Sequence, residues 1–318
     1  MKKILVAGGG GFIGGHLIKR LLEKKYNIIS VDIKRKCDWY QIFEDVENIE
    51  LNLEDKESCE KAVSNCSHVF NLACNMGGMG FIENNKALCM LSVLVNTHLL
   101  MACKKFKIEK YFFSSSACAY NTNLQNEASI KGLKEADAYP AMPEDGYGWE
   151  KLFSERMCRH FTEDYKLDTK VARFHNVYGP HGTYDGGREK APAAICRKIA
   201  LAKKKREKSI EVWGDGQQTR SFLYIEDCVD AVLKLFESNV NEPINIGSEE
   251  QVSINKMIDI VEEIADYKVE RNYQLHKPKG VRGRSSNNQL IEKKLQWRPR
   301  YSLKEGLKFT YEWISKQI

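Results

Sequence analysis

Tyr147 and Lys151 stand four positions apart, so a helix would place both side chains on one face. A nearby ammonium lowers the pKa of a phenol, and such a tyrosine accepts a hydroxyl proton while a hydride leaves the attached carbon. Upstream, a serine run ends an apolar segment and offers the Ser116 hydroxyl to the same substrate oxygen. The pattern predicts an enzyme that moves a hydride between an alcohol and a nicotinamide.

A glycine-rich turn, Gly8-Gly9-Gly10-Gly11-Phe12-Ile13-Gly14, follows an apolar segment and begins a helical pattern. Glycines let the backbone approach a pyrophosphate, which the helix N terminus stabilises. Asp32 ends the next apolar segment, where a carboxylate binds the adenosine ribose hydroxyls and repels a 2′-phosphate. We therefore predict NAD rather than NADP, although Lys34 and Arg35 close by keep NADP as an alternative. The predicted cofactor-binding residues are Gly8, Gly11, Phe12, Ile13, Gly14, Asp32, Leu53, Ala73, Tyr147 and Lys151.

Cys118 and Lys190 are candidates for proton transfer beside the hydride site. Inverting a carbon requires two proton-bearing groups on opposite faces, and a thiol and an amine can both be tuned towards neutral pH. The alternatives are a buried structural cysteine and an exposed lysine at a helix start. Because a cation at a helix N terminus is electrostatically disfavoured, we favour a functional role for Lys190.

The elements that position these residues alternate between strand and helix patterns. Apolar segments predict strands at 3–7, 27–31, 49–53, 68–73, 110–115 and 170–176, with helical spacing at 12–23 and 93–106. Later segments predict strands at 210–213 and 221–224 and helices near 189–204 and at 225–236, 254–265 and 302–314. The fold class is therefore α/β: a Rossmann-type doubly wound parallel sheet with a smaller mixed α/β C-terminal lobe. We predict an NAD-binding domain over 1–176 with a return around 219–248, and a substrate-binding lobe over 177–218 and 249–318.

Composition predicts a soluble protein of the reducing cytoplasm. The net charge of +6 suits an anionic ligand such as a nucleotide but is too small to predict a nucleic-acid partner. No segment has the roughly 20 apolar residues that span a bilayer, so no membrane is expected. The ten cysteines are scattered without a Cys-x-x-Cys pair, and the histidines form no ligand-spaced cluster, so neither a disulfide framework nor a metal site is predicted.

The order of these motifs, with Asn71-Leu72-Ala73 between them, resembles the extended short-chain dehydrogenases/reductases that act on nucleotide sugars. Within that family the chain closely resembles the members that invert C3 and C5 of GDP-mannose. The motifs that carry this closer resemblance are Met76-Gly77-Gly78-Met79-Gly80-Phe81-Ile82, Ser115-Ser116-Ala117-Cys118, Arg173-Phe174-His175-Asn176, Gly186-Gly187-Arg188-Glu189-Lys190-Ala191-Pro192, Gln218-Thr219-Arg220-Ser221-Phe222 and Gly280-Val281-Arg282-Gly283-Arg284.

The resemblance implies a role for each matching residue. Tyr147 would remove the 4-hydroxyl proton while the C4 hydride passes to NAD, and Cys118 and Lys190 would then exchange protons at the acidified C3 and C5. It also implies a homodimer. The substrate-binding residues it implies are Gly77, Ser116, Ala117, Cys118, Asn176, Glu189, Lys190, Ala191, Lys198, Gln218, Arg220, Ser221 and Arg282, with Lys198, Arg220 and Arg282 near the phosphates.

Three alternatives stay open. Departures from the family pattern in the helix at 88–96 leave the sugar undecided, so that a GDP-heptose fits the same chemistry. A nucleotide-sugar 4-epimerase, 4-dehydrogenase or 4,6-dehydratase would use the same tyrosine and NAD without the Cys118/Lys190 pair. A dehydratase would carry Asp-Glu at the two positions where this chain has Ala117-Cys118. The absence of Asp-Glu there counts against the dehydratase alternative. A non-catalytic dinucleotide sensor is disfavoured because Tyr147 and Lys151 are both present.

Overall fold

The computed structural model describes residues 3–278 and 280–318 and contains fourteen named strands and ten α-helices there. The strands are β1 (Lys3–Ala7), β2 (Asn27–Asp32), β3 (Glu47–Glu50), β4 (Cys66–Asn71), β5 (Lys110–Ser116), β6 (Asp168–Phe174), β7 (Val177–Tyr178), β8 (Ser209–Trp213), β9 (Thr219–Ser221), β10 (Leu223–Tyr224), β11 (Ile244–Ile246), β12 (Gln251–Ser253), β13 (Glu270–Gln274) and β14 (Gly283–Arg284). The helices are α1 (Phe12–Glu23), α2 (Lys56–Val63), α3 (Met79–Asn84), α4 (Lys86–Phe106), α5 (Tyr147–Tyr165), α6 (Ala191–Lys205), α7 (Ile225–Glu237), α8 (Ile254–Ala265), α9 (Gln289–Leu295) and α10 (Leu303–Ser315).

The main sheet has seven parallel strands in the order β11-β6-β5-β4-β1-β2-β3. Its two faces are both buried, because alternate side chains of each strand enter different apolar clusters. In β1, Ile4 and Val6 join the cluster that includes α1 and α7, whereas Leu5 and Ala7 join the one that includes α2, α4 and α5. The predicted Rossmann-type doubly wound sheet is confirmed.

The C-terminal part of the chain builds the smaller lobe around three helices and three short sheets. Helices α6, α8 and α10 pack against one another, β13 pairs with β8, β12 and β14 flank β9, and β10 pairs with β7. The chain returns to the main sheet at β11, which pairs with β6. The domain boundaries themselves remain a prediction.

Three predicted elements differ most from the observed ones, whereas β4 and β6 each begin and end two residues earlier than predicted. The strand predicted at 221–224 is two strands, because β9 pairs with β12 and β14 whereas β10 pairs with β7. The third strand lies earlier than predicted, at Glu47–Glu50, where it forms the polar edge of the sheet. Helix α4 begins at Lys86 rather than at 93, and only Asn85 separates it from the end of α3.

Helix α4 also corrects the expectation about apolar length. By length and composition it is apolar enough to cross a membrane, and 44% of its most apolar stretch is buried within the protein. Its inner face packs against α2 and α5. A core helix of a soluble protein has the same composition, so this feature is weak evidence for a membrane span.

Candidate active site

The glycine turn between β1 and α1 packs against the end of β4. Gly8 has φ +82°, and a Cβ there would lie 2.8 Å from the backbone nitrogen of Ala73. A Cβ on Gly14 would lie 2.2 Å from the Gly8 carbonyl oxygen, so only glycine permits this approach of helix and turn. The turn therefore presents bare backbone at the N terminus of α1, which suits a pyrophosphate.

A single cavity of about 370 Å³ extends from this turn to the start of α5 and α6. The residues predicted for the cofactor that line it are Gly8, Gly11, Phe12, Ile13, Gly14, Asp32, Leu53, Ala73 and Tyr147. Ser116 and Lys190, predicted for the substrate side, line the same cavity. The glycine cradle and the acidic residue in one cavity fit NAD.

Asp32 lies at the end of β2 and is buried. Its Oδ1 accepts a hydrogen bond of 3.0 Å from the backbone nitrogen of Lys34. Burial raises the pKa of the carboxyl, and this hydrogen bond partly opposes the rise. The Lys34 ammonium donates to the Gly10 carbonyl at 2.6 Å. Because the lysine is engaged by the glycine turn, we still expect the Asp32 carboxylate rather than Lys34 to bind the ribose hydroxyls of NAD.

The Asp32→Ala variant is expected to bind NAD about tenfold to a hundredfold more weakly, since hydrogen bonds to a charged group are lost. It should also lose its preference for NAD over NADP. Calorimetry with both dinucleotides measures this, and Asp38→Ala, which removes an exposed carboxylate paired with Arg35, is the matched control. Equal affinity of the unchanged protein for NAD and NADP would contradict the assignment.

Helix α5 places Tyr147 in the cavity lining, whereas Lys151, predicted for the same cofactor, is buried one turn further on and lies outside the lining. The helix packs closely on the segment after β5, since a Cβ on Gly148 would lie 2.3 Å from the carbonyl oxygen of Cys118. The Nζ of Lys151 lies 5.3 Å from the centre of the Tyr147 ring and 3.1 Å from Oε2 of Glu150. The predicted pair thus shares one helix face, with its ammonium held by a buried carboxylate.

The pKa of Tyr147 differs from the sequence-based expectation. Burial raises it well above the ordinary value of a tyrosine, Cys74, Cys118 and Glu150 add to this, and a hydrogen bond with Ser116 opposes it. Burial alone would lower the pKa of Lys151, but Cys74 and Glu150 raise it, so the side chain is an ammonium. The Lys151 ammonium is paired with Glu150, and the Tyr147 phenol is protonated near neutral pH.

Cys118 is buried at the end of the serine strand, with an arginine and a glutamate beside its thiol. Arg284 Nη1 donates to its Sγ at 3.5 Å, and Arg284 Nη2 donates to Oε1 of Glu144 at 2.7 Å. Burial and Glu144 raise the pKa of Cys118 to about 12, while Arg284 lowers it. The residue is therefore a protonated thiol near neutral pH.

Lys190 lies at the N-cap of α6 and is half-buried in the cavity wall. Burial lowers the pKa of its amine, and the nearby Cys118, Cys74 and Cys228 partly oppose this. The structure thus brings Lys190 and Cys118 into one electrostatic neighbourhood, and Tyr147 interacts with Ser116 and Cys118 there. The thiol packs in the same buried cluster as Tyr147, and the amine and Tyr147 line the same cavity.

Other predicted substrate residues, among those the structure describes, lie outside the lining of this cavity: Gly77, Ala117, Cys118, Asn176, Glu189, Ala191, Lys198, Gln218, Arg220, Ser221 and Arg282. Several are bound to other parts of the chain. Lys198 Nζ donates to the Glu211 carbonyl at 2.7 Å, and Asn176 Nδ2 donates to the Ser221 carbonyl at 3.0 Å.

The three cationic side chains predicted near the phosphates each contact another group of the protein. Arg282 Nη1 lies 2.9 Å from Oδ1 of Asp215, so an acidic residue compensates its charge. Arg220 donates to the Val281 carbonyl at 2.6 Å, and burial together with Arg284 lowers its pKa to about 10. It is Arg284, rather than Arg282, that reaches Cys118.

Arg284 and Glu144 are the site residues that sequence reasoning missed. Arg284 belongs to the motif Gly280-Val281-Arg282-Gly283-Arg284, and Glu144 lies just before α5. The spacing of Arg282 and Arg284 alone does not tell which arginine points inward. The register of β14 on β9 decides it, because Arg284 pairs with Arg220. Glu144 belongs to the segment before α5, where it reads as a surface acid.

Known proteins similar to this chain act on nucleotide sugars. The model of the NAD dependent epimerase/dehydratase family matches residues 4–247. The chain is 45% identical to GDP-mannose 3,5-epimerase 1 of Oryza sativa subsp. indica, over 99% of this chain and 82% of that protein. It is 44% identical to GDP-mannose 3,5-epimerase of Arabidopsis thaliana, over 99% and 83%. The solved UDP-glucose 4-epimerase of Thermotoga maritima with UDP-glucose superposes with a TM-score of 0.89 at 28% identity, covering 99% of each chain.

Proposed function

Because this chain belongs to the NAD-dependent epimerase/dehydratase family, we propose that it inverts C3 and C5 of GDP-mannose or of a close GDP-sugar such as a GDP-heptose. The observation that carries the proposal is that Tyr147 packs with Cys118 in one buried cluster and lines one cavity with Lys190. An enzyme acting only at C4 needs no such pair. The relatives in Oryza and Arabidopsis that carry the name GDP-mannose 3,5-epimerase support the same substrate class.

The first part of the mechanism is oxidation at C4. NAD, when bound, takes up the C4 hydride and later returns it. Tyr147 must first release its own phenol proton to solvent. The tyrosinate then receives the proton of the 4-hydroxyl, which Ser116 orients from the end of β5. The Lys151 ammonium stabilises the tyrosinate that would otherwise be costly in so buried a position.

The second part is proton exchange at the neighbouring carbons. A ketone at C4 makes the hydrogens on C3 and C5 acidic. Lys190 and Cys118 then serve as the two proton carriers, one removing a proton from a face of the ring and the other delivering one to the opposite face. The depressed pKa of the amine and the raised pKa of the thiol suit these separate tasks.

Incubation of the pure protein with GDP-mannose, followed by nuclear magnetic resonance of the products, tests the proposal. We expect sugars inverted at C3, C5 or both, with GDP-heptose as the second substrate to try. The alternative is a 4-position enzyme, which the similarity to a solved 4-epimerase keeps in view. Inversion at C4 alone would favour that alternative and contradict the present proposal.

We further propose a homodimer formed through α4 and α5. These two helices pack against each other, yet Leu91 and Leu94 of α4 and Phe153 of α5 are 48%, 38% and 53% exposed. Met157, also on α5, packs against the core. A second copy covering the exposed side chains would account for the apolar composition of α4.

The cytoplasm as the compartment remains a prediction.

Leu91→Glu together with Phe153→Glu is expected to convert dimer to monomer, because two charges would enter the apolar contact from each copy. Light scattering at micromolar concentration measures the mass. Tyr26→Glu, which changes an exposed aromatic side chain next to α1, is the control and should leave the dimer intact. A monomer for the unchanged protein at that concentration would refute the assembly.

A further inference from the structure

Two segments form rims of the cofactor cavity where it meets the glycine turn. The first rim, 34–40, follows β2 and contributes Lys34 to the cavity lining. The second rim, 179–184, follows β7 and contributes Gly182. Because each rim forms part of the cavity wall, a movement of either one changes the space that is open to a dinucleotide.

The first rim lies directly on the glycine turn. The indole Nε1 of Trp39 donates to the Lys34 carbonyl at 3.0 Å, and a Cβ on Gly10 would lie 2.5 Å from the Trp39 ring. Trp39 is buried by these contacts, whereas the side chain of the next residue, Tyr40, is 41% exposed. The rim is therefore anchored through Trp39, and the Tyr40 ring extends from it.

The second rim is anchored on α6 and α1. Arg197 of α6 donates from Nε to the Tyr184 carbonyl at 2.8 Å, and its Nη2 lies 3.2 Å from Oε1 of Glu189. A Cβ on Gly182 would lie 3.0 Å from the Phe12 ring at the start of α1. These contacts fix the backbone of the rim, from which the Tyr184 ring extends.

A tryptophan of α10 joins the two rims. The ring centres of Tyr40 and Trp313 are 5.7 Å apart with an interplanar angle of 78°, and those of Tyr184 and Trp313 are 5.4 Å apart at 85°. Both pairs have the edge-to-face geometry that aromatic rings favour. The rings of Tyr40 and Tyr184 are 6.5 Å apart, and His181 of the second rim lies 5.2 Å from Trp313. Trp313 thus holds one ring from each rim.

We propose that Tyr40, Tyr184 and Trp313 form an aromatic latch across the cofactor cavity, which must open before NAD enters or leaves. The three rings belong to the rims and to α10, outside the described cavity lining. Trp313 is therefore a positioning residue that acts through the two tyrosines. The inference goes beyond the proposed epimerisation, because it requires NAD binding and no particular sugar.

A latch of this kind controls rates more than affinity. Because the rings lie outside the cavity lining, the same ring contacts form with and without NAD. Breaking them is part of the barrier to entry and to exit, so their loss lowers both barriers together. Association and dissociation both become faster, and the dissociation constant stays nearly the same. Loss of a residue that binds NAD directly has a different effect, because it raises the dissociation constant mainly through faster dissociation.

Trp313→Ala is the first test, because it removes the ring that holds both rims. The NAD-saturated protein is mixed with an excess of isotope-labelled NAD, and exchange is followed by mass spectrometry of the bound dinucleotide. We expect exchange to be about tenfold faster or more, since several aromatic contacts are lost, while calorimetry gives a dissociation constant within about threefold of the unchanged one. Phe309→Ala removes another ring of α10, which packs against Tyr224 and Tyr301, and should leave exchange unchanged.

Tyr40→Ala opens the latch from the first rim and gives the second readout. It should accelerate exchange to a similar extent, because it removes the contacts with Trp313 and Tyr184. Combining it with Trp313→Ala should add at most about twofold to the faster single variant, since both variants remove the same closed state. Trp313→Phe keeps an aromatic ring at this position and should restore most of the slow exchange. Melting temperatures of all variants separate these effects from a general loss of stability.

Three results would overturn the proposal. Unchanged exchange in Trp313→Ala and Tyr40→Ala would show that the rings do not control the passage of NAD. Faster exchange with an equal rise of the dissociation constant would show that they stabilise bound NAD instead. Additive effects in the double variant would show two independent packing losses. If Trp313→Ala does not fold, Tyr40→Ala decides alone, because the Tyr40 side chain is exposed. Since no sugar is used, failure of the proposed epimerisation would leave these results unaffected.

Discussion

Tyr147→Phe is expected to stop every chemical step on the sugar. The phenol is the group that receives the 4-hydroxyl proton, and loss of a positioned base lowers a rate by about a hundredfold to ten-thousandfold. Without a C4 ketone the hydrogens at C3 and C5 are not acidic, so solvent exchange at those carbons should fall by the same factor. NADH absorbance and deuterium incorporation from deuterated water measure the two effects.

The control for this variant is Tyr139→Phe, which changes an exposed tyrosine upstream of α5. NAD binding by Tyr147→Phe should remain, because the glycine turn and Asp32 are untouched. Undiminished deuterium incorporation at C3 or C5 in Tyr147→Phe would rule out a route through a 4-keto sugar.

Cys118→Ala and Lys190→Ala are expected to separate redox chemistry from proton chemistry. Both should still form NADH transiently, since Tyr147, Lys151 and Ser116 remain, while epimerisation falls by about two orders of magnitude or more. Because one of the two proton carriers survives in each variant, deuterium exchange at the acidified carbon without inversion is expected in at least one of them. Single-turnover absorbance and nuclear magnetic resonance of the recovered sugar report these outcomes.

Cys89→Ala is the matched control for the thiol, because Cys89 is buried in the same apolar cluster as Cys118 and Tyr147. It is expected to epimerise at close to the unchanged rate. If Cys118→Ala and Lys190→Ala both epimerise at the unchanged rate, the pair is structural and the 4-position enzyme becomes the better account.

The elements that the sequence predicts best are those with strong local signals. Helices α1 and α8 have the predicted bounds, because their apolar residues repeat at helical spacing and a glycine turn and Ser253 mark their starts. The bounds of β3 and the division of β9 from β10 depend on which strand each one pairs with, and pairing partners lie far away in the chain.

The same contrast holds for the site. Motif spacing predicts that Gly8, Asp32, Tyr147 and Lys190 line one cavity, and the structure has them there. The inward position of Arg284 depends on the register of β14, and its contact with Glu144 joins residues 140 positions apart. The direction of the Tyr147 pKa follows from burial, which the four-residue spacing to Lys151 does not contain.

Deuterium at C3 and C5 tests the central claim most directly. The pure protein is incubated with GDP-mannose in deuterated water, and the sugars are analysed position by position by nuclear magnetic resonance. The account predicts inverted product that carries deuterium at the inverted carbon, C3 or C5, and ordinary hydrogen at C4, because the C4 hydride is returned rather than exchanged. Turnover that inverts C4 and leaves C3 and C5 free of deuterium, with GDP-mannose and with GDP-heptose, would contradict it.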